Sequence, residues 1–329
     1  MRQASAAGKR EAPLRASAGR FTSPGGSWQE AERFRPPRAR RIRMPIAILD
    51  SRAVIRVAGA DAGHFLDNLL TARMPAPGAQ RYAALLAPQG KIIADMIIAA
   101  TEGGFRLDTP RSTADELLKR LRLYRLRSKI ELGTLDDLSV CVAWGGDVPV
   151  IDAFVYDDPR LPGIPAPLGR RFLLPAVEAA GLGALPEAAW QAHRIALGVP
   201  EGGQDFLYGD AFPHEADMEQ LGGVDFDKGC YVGQEIVSRM QHRGTARTRI
   251  IPFAVEGTLP PEGTPVRAGA KDIGRLGSGT GERALALVRL DRLGDALADG
   301  HAVMAGEARL TPAPLDWARF PIPGTERAA

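Results

Sequence analysis

The sequence predicts an α+β body followed by a small all-β domain, on three observations. From Met44 onward, amphipathic helical stretches and short apolar strands follow one another. After Arg249, short β-like runs recur about every dozen residues, separated by Gly and Pro. The 329 residues are 45% hydrophobic and 25% charged, which is ordinary for a chain with an apolar core. We place the expected divisions at an N-terminal extension over 1–43, an α+β module over 44–248 and a C-terminal β-barrel over 249–329.

Charge is unevenly spread. The net +3 conceals eleven basic and three acidic residues in 1–43, so that segment carries +8 and the rest of the chain −5. This weakens the case for a general nucleic-acid binder, which needs basic charge across a folded face. Segment 1–43 has no apolar stretch of the secretory type. It is rich in Arg and poor in acids, as organellar transit peptides are, but Pro13, Pro24, Pro36, Pro37 and Gly25-Gly26 interrupt any amphipathic helix. The expectation is a disordered extension, or a true start at Met44 where patterned sequence begins. Two cysteines, Cys141 and Cys230, supply neither a disulfide framework nor a structural zinc site and suggest a reducing compartment, read here as the cytoplasm. No run of about 18 apolar residues is present, so no transmembrane helix and no membrane partner are expected.

The elements follow in order. Ala53–Val57 reads as a strand. Residues 60–73 read as a helix with Asp61 at its N-cap and Phe65, Leu66, Leu69 and Leu70 on one face. Ala83–Leu86 and Ile92–Ala99 form a hairpin about Pro88-Gln89-Gly90. Residues 113–126 are a helix, with Thr113 and Glu116 spaced as a capping box and Leu117, Leu121 and Tyr124 along one stripe. Val140–Trp144 is a strand; 157–184 is loop-dominated with a short strand over Arg171–Leu174; Pro186–Leu197 is a helix closed by Gly198. Strands over 250–255, 265–268, 284–288 and 308–311 make the C-terminal domain, and Gly277, Gly279 and Gly281 read as a turn within it.

Chemistry concentrates around Cys230. Gly229 and Gly233 flank it, leaving little bulk over the sulfur, and Lys228 lies two residues before it. Gln234–Met240 can be helical, which places Cys230 near a helix N-terminus. A nearby cation and the positive helix end both favour a thiolate, which can act as nucleophile, metal ligand or redox group. A lone cysteine cannot hold an iron–sulfur cluster, so other ligands would have to come from a partner or a small thiol. Cys141, within an apolar strand, reads as a core residue.

The run Lys228-Gly229-Cys230-Tyr231-Val232-Gly233-Gln234-Glu235 resembles the signature of the YgfZ-type folate-binding proteins, relatives of the glycine-cleavage T-protein (aminomethyltransferase). Three other stretches share the resemblance: Gln89-Gly90-Lys91 followed by Asp95; Arg194-Ile195, Gly198-Val199-Pro200 and Pro213–Ala216; and 274–292. It covers about 46–320 and leaves 1–43 unmatched. It implies a T-protein-like fold of ferredoxin-like subdomains around a central channel, with a C-terminal all-β barrel. It further implies tetrahydrofolate as cofactor and a role in assembly or repair of iron–sulfur clusters, through Cys230 as functional thiol and shared ligand of a transient cluster. The implied partners are an A-type iron–sulfur carrier and iron–sulfur client enzymes, with no enzymatic turnover required. Lys228 is then a catalytic-loop residue, and Gly229, Tyr231, Gly233, Gln234 and Glu235 shape the loop. The alternative is a folate-dependent aminomethyl or one-carbon transferase. The T-protein pattern R-x-E-x-G reads Arg194-Ile195-Ala196-Leu197-Gly198 here, and the missing glutamate counts against transfer.

The expected folate contacts are Gln89, Lys91, Asp95, Arg194, Arg239 and Arg243. By pattern alone Asp95 is equally an outward-facing strand residue. Arg239, Arg243, Arg247 and Arg249 form a basic cluster suited to a polyglutamate tail or a partner. Lys119–Lys129 carries six basic residues and no acid; an anion or RNA site is one reading, the solvated face of an amphipathic helix the preferred one, so RNA is not expected as a partner. The five histidines show no zinc-hydrolase spacing, and His214 and Glu215 read as surface loop residues.

Overall fold

The computed structural model describes residues 44–146, 152–164, 167–244 and 246–325. The extension expected over 1–43 lies outside the described residues.

The first half of the chain gives β1 (Ile46–Ile48), β2 (Arg52–Ala58), α1 (Ala62–Asp67), β3 (Gln80–Leu86), β4 (Ile92–Thr101), β5 (Gly104–Pro110), α2 (Arg111–Tyr124), β6 (Glu131–Thr134), β7 (Leu138–Ala143), β8 (Phe154–Asp157), β9 (Arg170–Pro175) and α3 (Ala176–Ala179). The second half gives α4 (Glu187–Ala196), α5 (Gln234–Arg243), β10 (Thr248–Glu256), β11 (Pro265–Ala268), β12 (Lys271–Thr280), β13 (Arg283–Arg289), α6 (Leu290–Ala298), β14 (Val303–Ala305) and β15 (Ala308–Pro312). Two antiparallel sheets, ordered β3-β4-β5-β2-β6 and β1-β7-β9-β8, precede a closed barrel ordered β10-β13-β12-β11-β14-β15. This is the α+β architecture with a C-terminal β-barrel that the sequence predicts.

Strand β4 shows how the body packs. Its sequence IIADMIIAAT is apolar on both faces, as a strand covered on both sides must be. Ala94, Met96 and Ile98 pack with Leu66, Leu70, Leu117 and Leu121 of the α1–α2 layer. Ile97 and Ala99 face the opposite way, into a core with Val140, Trp144 and Trp190. Asp95 shares that second face by strand alternation and is 2% exposed. It is an inward residue, so the solvent-facing reading fails.

Between the two sheets lies a closed ring of six ion-paired side chains. Arg52 Nε meets Asp108 Oδ1 at 2.7 Å, and Asp108 Oδ2 meets Arg171 Nη1 at 2.7 Å. Arg171 Nη2 meets Asp158 Oδ2 at 2.8 Å, as does Arg160 Nη2. Arg160 Nη1 meets Glu201 Oε2 at 3.2 Å, and Glu201 Oε1 returns to Arg52 Nη1 at 2.6 Å. Cations and anions alternate, so the ring is neutral, and all six residues are buried. Tyr156 Oη donates to Asp108 Oδ2 at 2.9 Å. The ring thus bridges the two sheets across their interface.

Several elements differ from expectation for local reasons. α1 stops at Asp67, and its N-cap makes no side-chain bond; Asp61 Oδ2 instead accepts from the Lys129 amide at 2.6 Å. α2 begins at Arg111 behind Pro110, and the capping box does not form: Thr113 Oγ1 donates to Pro110 O, while Glu116 pairs with Arg120 one turn on. α6 is a helix within the segment expected to be all β. Gly277 and Gly279 lie in β12 beside a register shift, and only Gly281 is in the turn. The barrel is tied back by Asp205, whose Oδ1 accepts from the Ser278 amide and hydroxyl and whose Oδ2 accepts from Arg194 Nη1.

Breaking the ring strands a buried charge. Arg171→Met is expected to cost about 3–5 kcal/mol in urea unfolding, whereas Arg267→Met, which breaks an exposed pair with Asp272, should change stability by about 1 kcal/mol or less. Burial raises the carboxyl pKa of Asp158 and Glu201, but the ring arginines outweigh it and hold both below the usual carboxylate range. Their contribution is thus present above about pH 4 and lost as pH falls through the depressed values. Urea midpoints measured at decreasing pH should fall, less steeply in Glu201→Gln.

Candidate functional site

The loop bearing Cys230 is held against the segment that follows α1. Thr71 Oγ1 donates to Gly223 O at 2.6 Å, the Asp225 amide donates to Thr71 O at 2.9 Å, and Arg73 Nη2 donates to Asp227 O at 3.0 Å. Lys228 is buried, and its ammonium donates to three carbonyls at and after the end of α1: Asp67 O and Leu70 O at 2.6 Å and Ala72 O at 3.3 Å. Asp67 O is an orphan acceptor of the α1 C-terminus, and Leu70 O and Ala72 O belong to the chain after it, so the lysine ties the helix end and the following segment to the loop. Burial lowers the Lys228 pKa, opposed by Asp67 and Asp225. Lys228 is therefore a positioning residue; its charge is committed to backbone and not to the thiol. This corrects the expectation of a catalytic cation.

Tyr231 is the second anchor. Its side chain is buried, its ring centroid lies 5.3 Å from Lys228 Nζ, and its amide donates to Gln234 Oε1 at 3.3 Å. Gly229 and Cys230 stand exposed between the two anchors, and space around Gly229 is open. The sulfur is thus displayed at the surface by a loop fixed on either side. Cys141, in contrast, is fully buried in β7, and burial followed by Asp50 pushes its thiol pKa up to about 11.

Gly90 and Gly233 explain why the Gln89-Gly90-Lys91 turn and the cysteine signature belong together. Both have φ of +80°, and their backbones touch. A Cβ on Gly233 would sit 2.6 Å from Ala87 O, and one on Gly90 would sit 2.9 Å from Ile236 Cβ. α5 starts directly after Gly233, at Gln234, so Cys230 precedes the helix rather than lying in its first turn. Glu235 is exposed and pairs with Arg239 at 2.7 Å; Arg243 and Arg247 are exposed. Arg249 leaves the expected basic cluster: it is buried, bonded to Asp217, Glu219 and His214 O. His214 is likewise interior, with its Nε2 3.0 Å from Gln241 Oε1, and Glu215 accepts from the Phe212 amide. His214 is thus not the surface residue expected, and Glu215 is half-buried.

The residues named for folate do not converge on a ready grip. Gln89 is exposed at the hairpin turn, and Lys91 bonds to Asp210 O with its ammonium 3.5 Å from the Phe212 ring centroid. Asp95 is closed by two residues that sequence reasoning missed: Tyr82 Oη donates to Oδ2 at 2.8 Å, and Tyr208 Oη donates to Oδ1. Burial, then Glu201, raises the Asp95 pKa. Arg194 is fully buried, bonded to Asp205, Gln204, Gln191 and Val199 O. None of the named folate residues has a buried polar atom left without a partner, whereas His214, Asp217, Glu219, Tyr231, Arg249 and Arg275 do. The set present does not fit tetrahydrofolate as arranged. Among the described residues, no group of three or more His, Cys, Asp or Glu is placed to hold a metal ion, so Cys230 is a solitary soft ligand.

Comparison with known proteins agrees with the fold. Residues 247–320 match the C-terminal β-barrel domain of CAF17. The chain is 33% identical over 297 residues to the mitochondrial iron–sulfur cluster assembly factor IBA57 homolog of Pyricularia oryzae, covering 79% of this chain and 75% of that one. This chain belongs to the IBA57 family. Human mitochondrial IBA57 is also 33% identical, over 74% of this chain and 77% of its own. The crystal structure of aminomethyltransferase T from Bartonella henselae superposes with a TM-score of 0.65 at 17% identity, over 86% of this chain and 88% of that one, and shows the shared fold. The relationship shown is to IBA57 and the T-protein fold, not to YgfZ-type proteins specifically. The cytoplasmic expectation is overturned, since the IBA57 relatives are named as mitochondrial. Cysteine usage misled here because it reports a reducing environment and not which reducing compartment.

Two substitutions test the anchoring. Lys228→Met should lower stability by about 1–3 kcal/mol through the unpaired carbonyls and speed hydrogen exchange at the Asp225 amide. Gly233→Ala should be comparably destabilising, read as a drop in melting temperature, with the shift absent for Gly229→Ala.

Proposed function

We propose that this IBA57-family chain assists iron–sulfur cluster assembly by offering Cys230 as one ligand to a cluster held jointly with a partner. The observation that carries this is the exposed sulfur between two buried anchors, outside any group of three or more metal-ligating side chains among the described residues. On binding, the thiol gives up its proton and its sulfur takes one coordination position on iron. The remaining ligands come from the partner, for which the resemblance implies an A-type carrier, with client enzymes as recipients. Gly229 keeps the approach open, Lys228 and Tyr231 fix the loop, and Gly233, Gln234 and Glu235 begin the helix behind it. The relatives are named assembly factors, in keeping with a role that needs no turnover. Tetrahydrofolate, which the resemblance implies, enters no step here, because Asp95 and Arg194 are spent on the chain's own groups.

Aminomethyl transfer is the second reading, favoured by the T-protein fold. Ala196 in place of the pattern's glutamate and the tyrosine-capped Asp95 stand against it. A turnover assay with tetrahydrofolate and a one-carbon donor separates the two readings.

Cys230→Ala should retain the wild-type melting temperature within about 1 °C, because the side chain is exposed, yet fail to restore four-iron enzyme activities in cells lacking the protein. Restoration of those activities by Cys230→Ala would defeat the proposal.

A further inference from the structure

The end of α2 carries a surface that the cysteine site does not use. Lys119, Arg122, Arg125, Arg127 and Lys129 are exposed, and among the described residues none of these side chains enters an ion pair; Arg120 is the one cation of the run that does, with Glu116. Between them stand Leu123, 69% exposed, and Leu126, 88% exposed. Of the inward stripe expected of this helix, Leu117 and Leu121 are buried and Tyr124 packs half-buried against the same core, joined by Leu118, so the two outer leucines are surplus to the core. Leu126 also has φ of +43°, the left-handed position after a helix that glycine fills without strain. A large apolar side chain thus occupies a backbone site suited to glycine and stands exposed among the described residues.

We propose that this leucine-tipped basic turn docks on an anionic lipid bilayer surface. Unpaired cations match the negative potential of such a surface, and their alkyl stems lie along the interface while the charges stay in water. Two leucines enter the headgroup–acyl boundary, which needs no shaped socket to receive them. An acidic protein would have to supply a matching apolar pocket. RNA would be gripped through stacking aromatics, and residues 119–129 offer only the half-buried Tyr124. Docking is on the surface: no helix among the described residues is long and apolar enough to cross a membrane. This proposal departs from the sequence expectation of no membrane partner.

The test uses the full chain, sedimented with vesicles of phosphatidylcholine alone or of phosphatidylcholine and phosphatidylglycerol in equal amounts. Wild type should sediment with the anionic vesicles only, less so as salt is raised. Leu126→Gly should keep or raise the melting temperature, since glycine suits the backbone, yet weaken vesicle binding about threefold or more. Combined Arg122→Gln, Arg125→Gln and Arg127→Gln should weaken it about a hundredfold. All variants retain residues 1–43, so differences between them report on this turn. Equal sedimentation with both vesicle types, or wild-type binding by these variants, would overturn the proposal. So would an RNA oligonucleotide that strips the protein from vesicles and binds Leu126→Gly as tightly as wild type, which would assign the cations to nucleic acid.

Discussion

The ring of Arg52, Asp108, Arg171, Asp158, Arg160 and Glu201 is the constraint on which the body depends. It draws one strand residue from each of β2, β5 and β9, two residues from the chain just after β8, and one from the stretch after α4. Desolvating six charges is costly, and the arrangement survives because every carboxylate meets two guanidinium groups and every guanidinium meets two carboxylates. Such a ring tolerates only one mutual arrangement of the two sheets, since sliding either by one residue would turn a charge into the apolar layer. Asp95, Tyr82 and Tyr208 extend the same polar layer, with the Arg160 guanidinium 5.8 Å from the centre of the Tyr82 ring. This polar layer holds the two sheets in register from the inside.

Against that rigid interior the functional loop is built by backbone contact. Lys228 and the Gly90–Gly233 approach join three separate stretches: the end of α1, the β3–β4 turn and the start of α5. An accessible thiol needs a loop that does not fold over it, and anchors on both sides achieve this without burying the sulfur. The chemistry available is simple ligation, which asks for exposure and a fixed direction more than for a deep pocket.

Much of the fold was legible in the sequence, because α2, α4, β4 and the barrel strands follow hydrophobic period and turn residues that local physics reads directly. The cysteine loop was legible through its glycines. What stayed hidden were partnerships across the fold. Lys228 looks like an activating cation until its carbonyl partners are seen, and Arg249 looks like part of a basic cluster until Asp217 and Glu219 are seen. The ring was hinted at only by charged residues at inward positions of apolar strands, as with Arg171 before Phe172-Leu173-Leu174. A pattern of that kind says that a charge is buried but not which residue balances it. Leu126 reads as the last residue of a helix, and its left-handed backbone, directly after the C-cap Arg125, is a reversal that period counting does not foresee.

The short helix α1 is gripped at both ends by distant parts of the chain: Asp61 at its start holds the Lys129 amide, and the carbonyls at its finish hold Lys228. Six helical residues span about 9 Å. α1 therefore works as a strut between the α2 turn and the cysteine loop. The segment after α2 and the anchor of the cysteine loop are thus spaced by one short helix, so a shift at either end is passed to the other along its length.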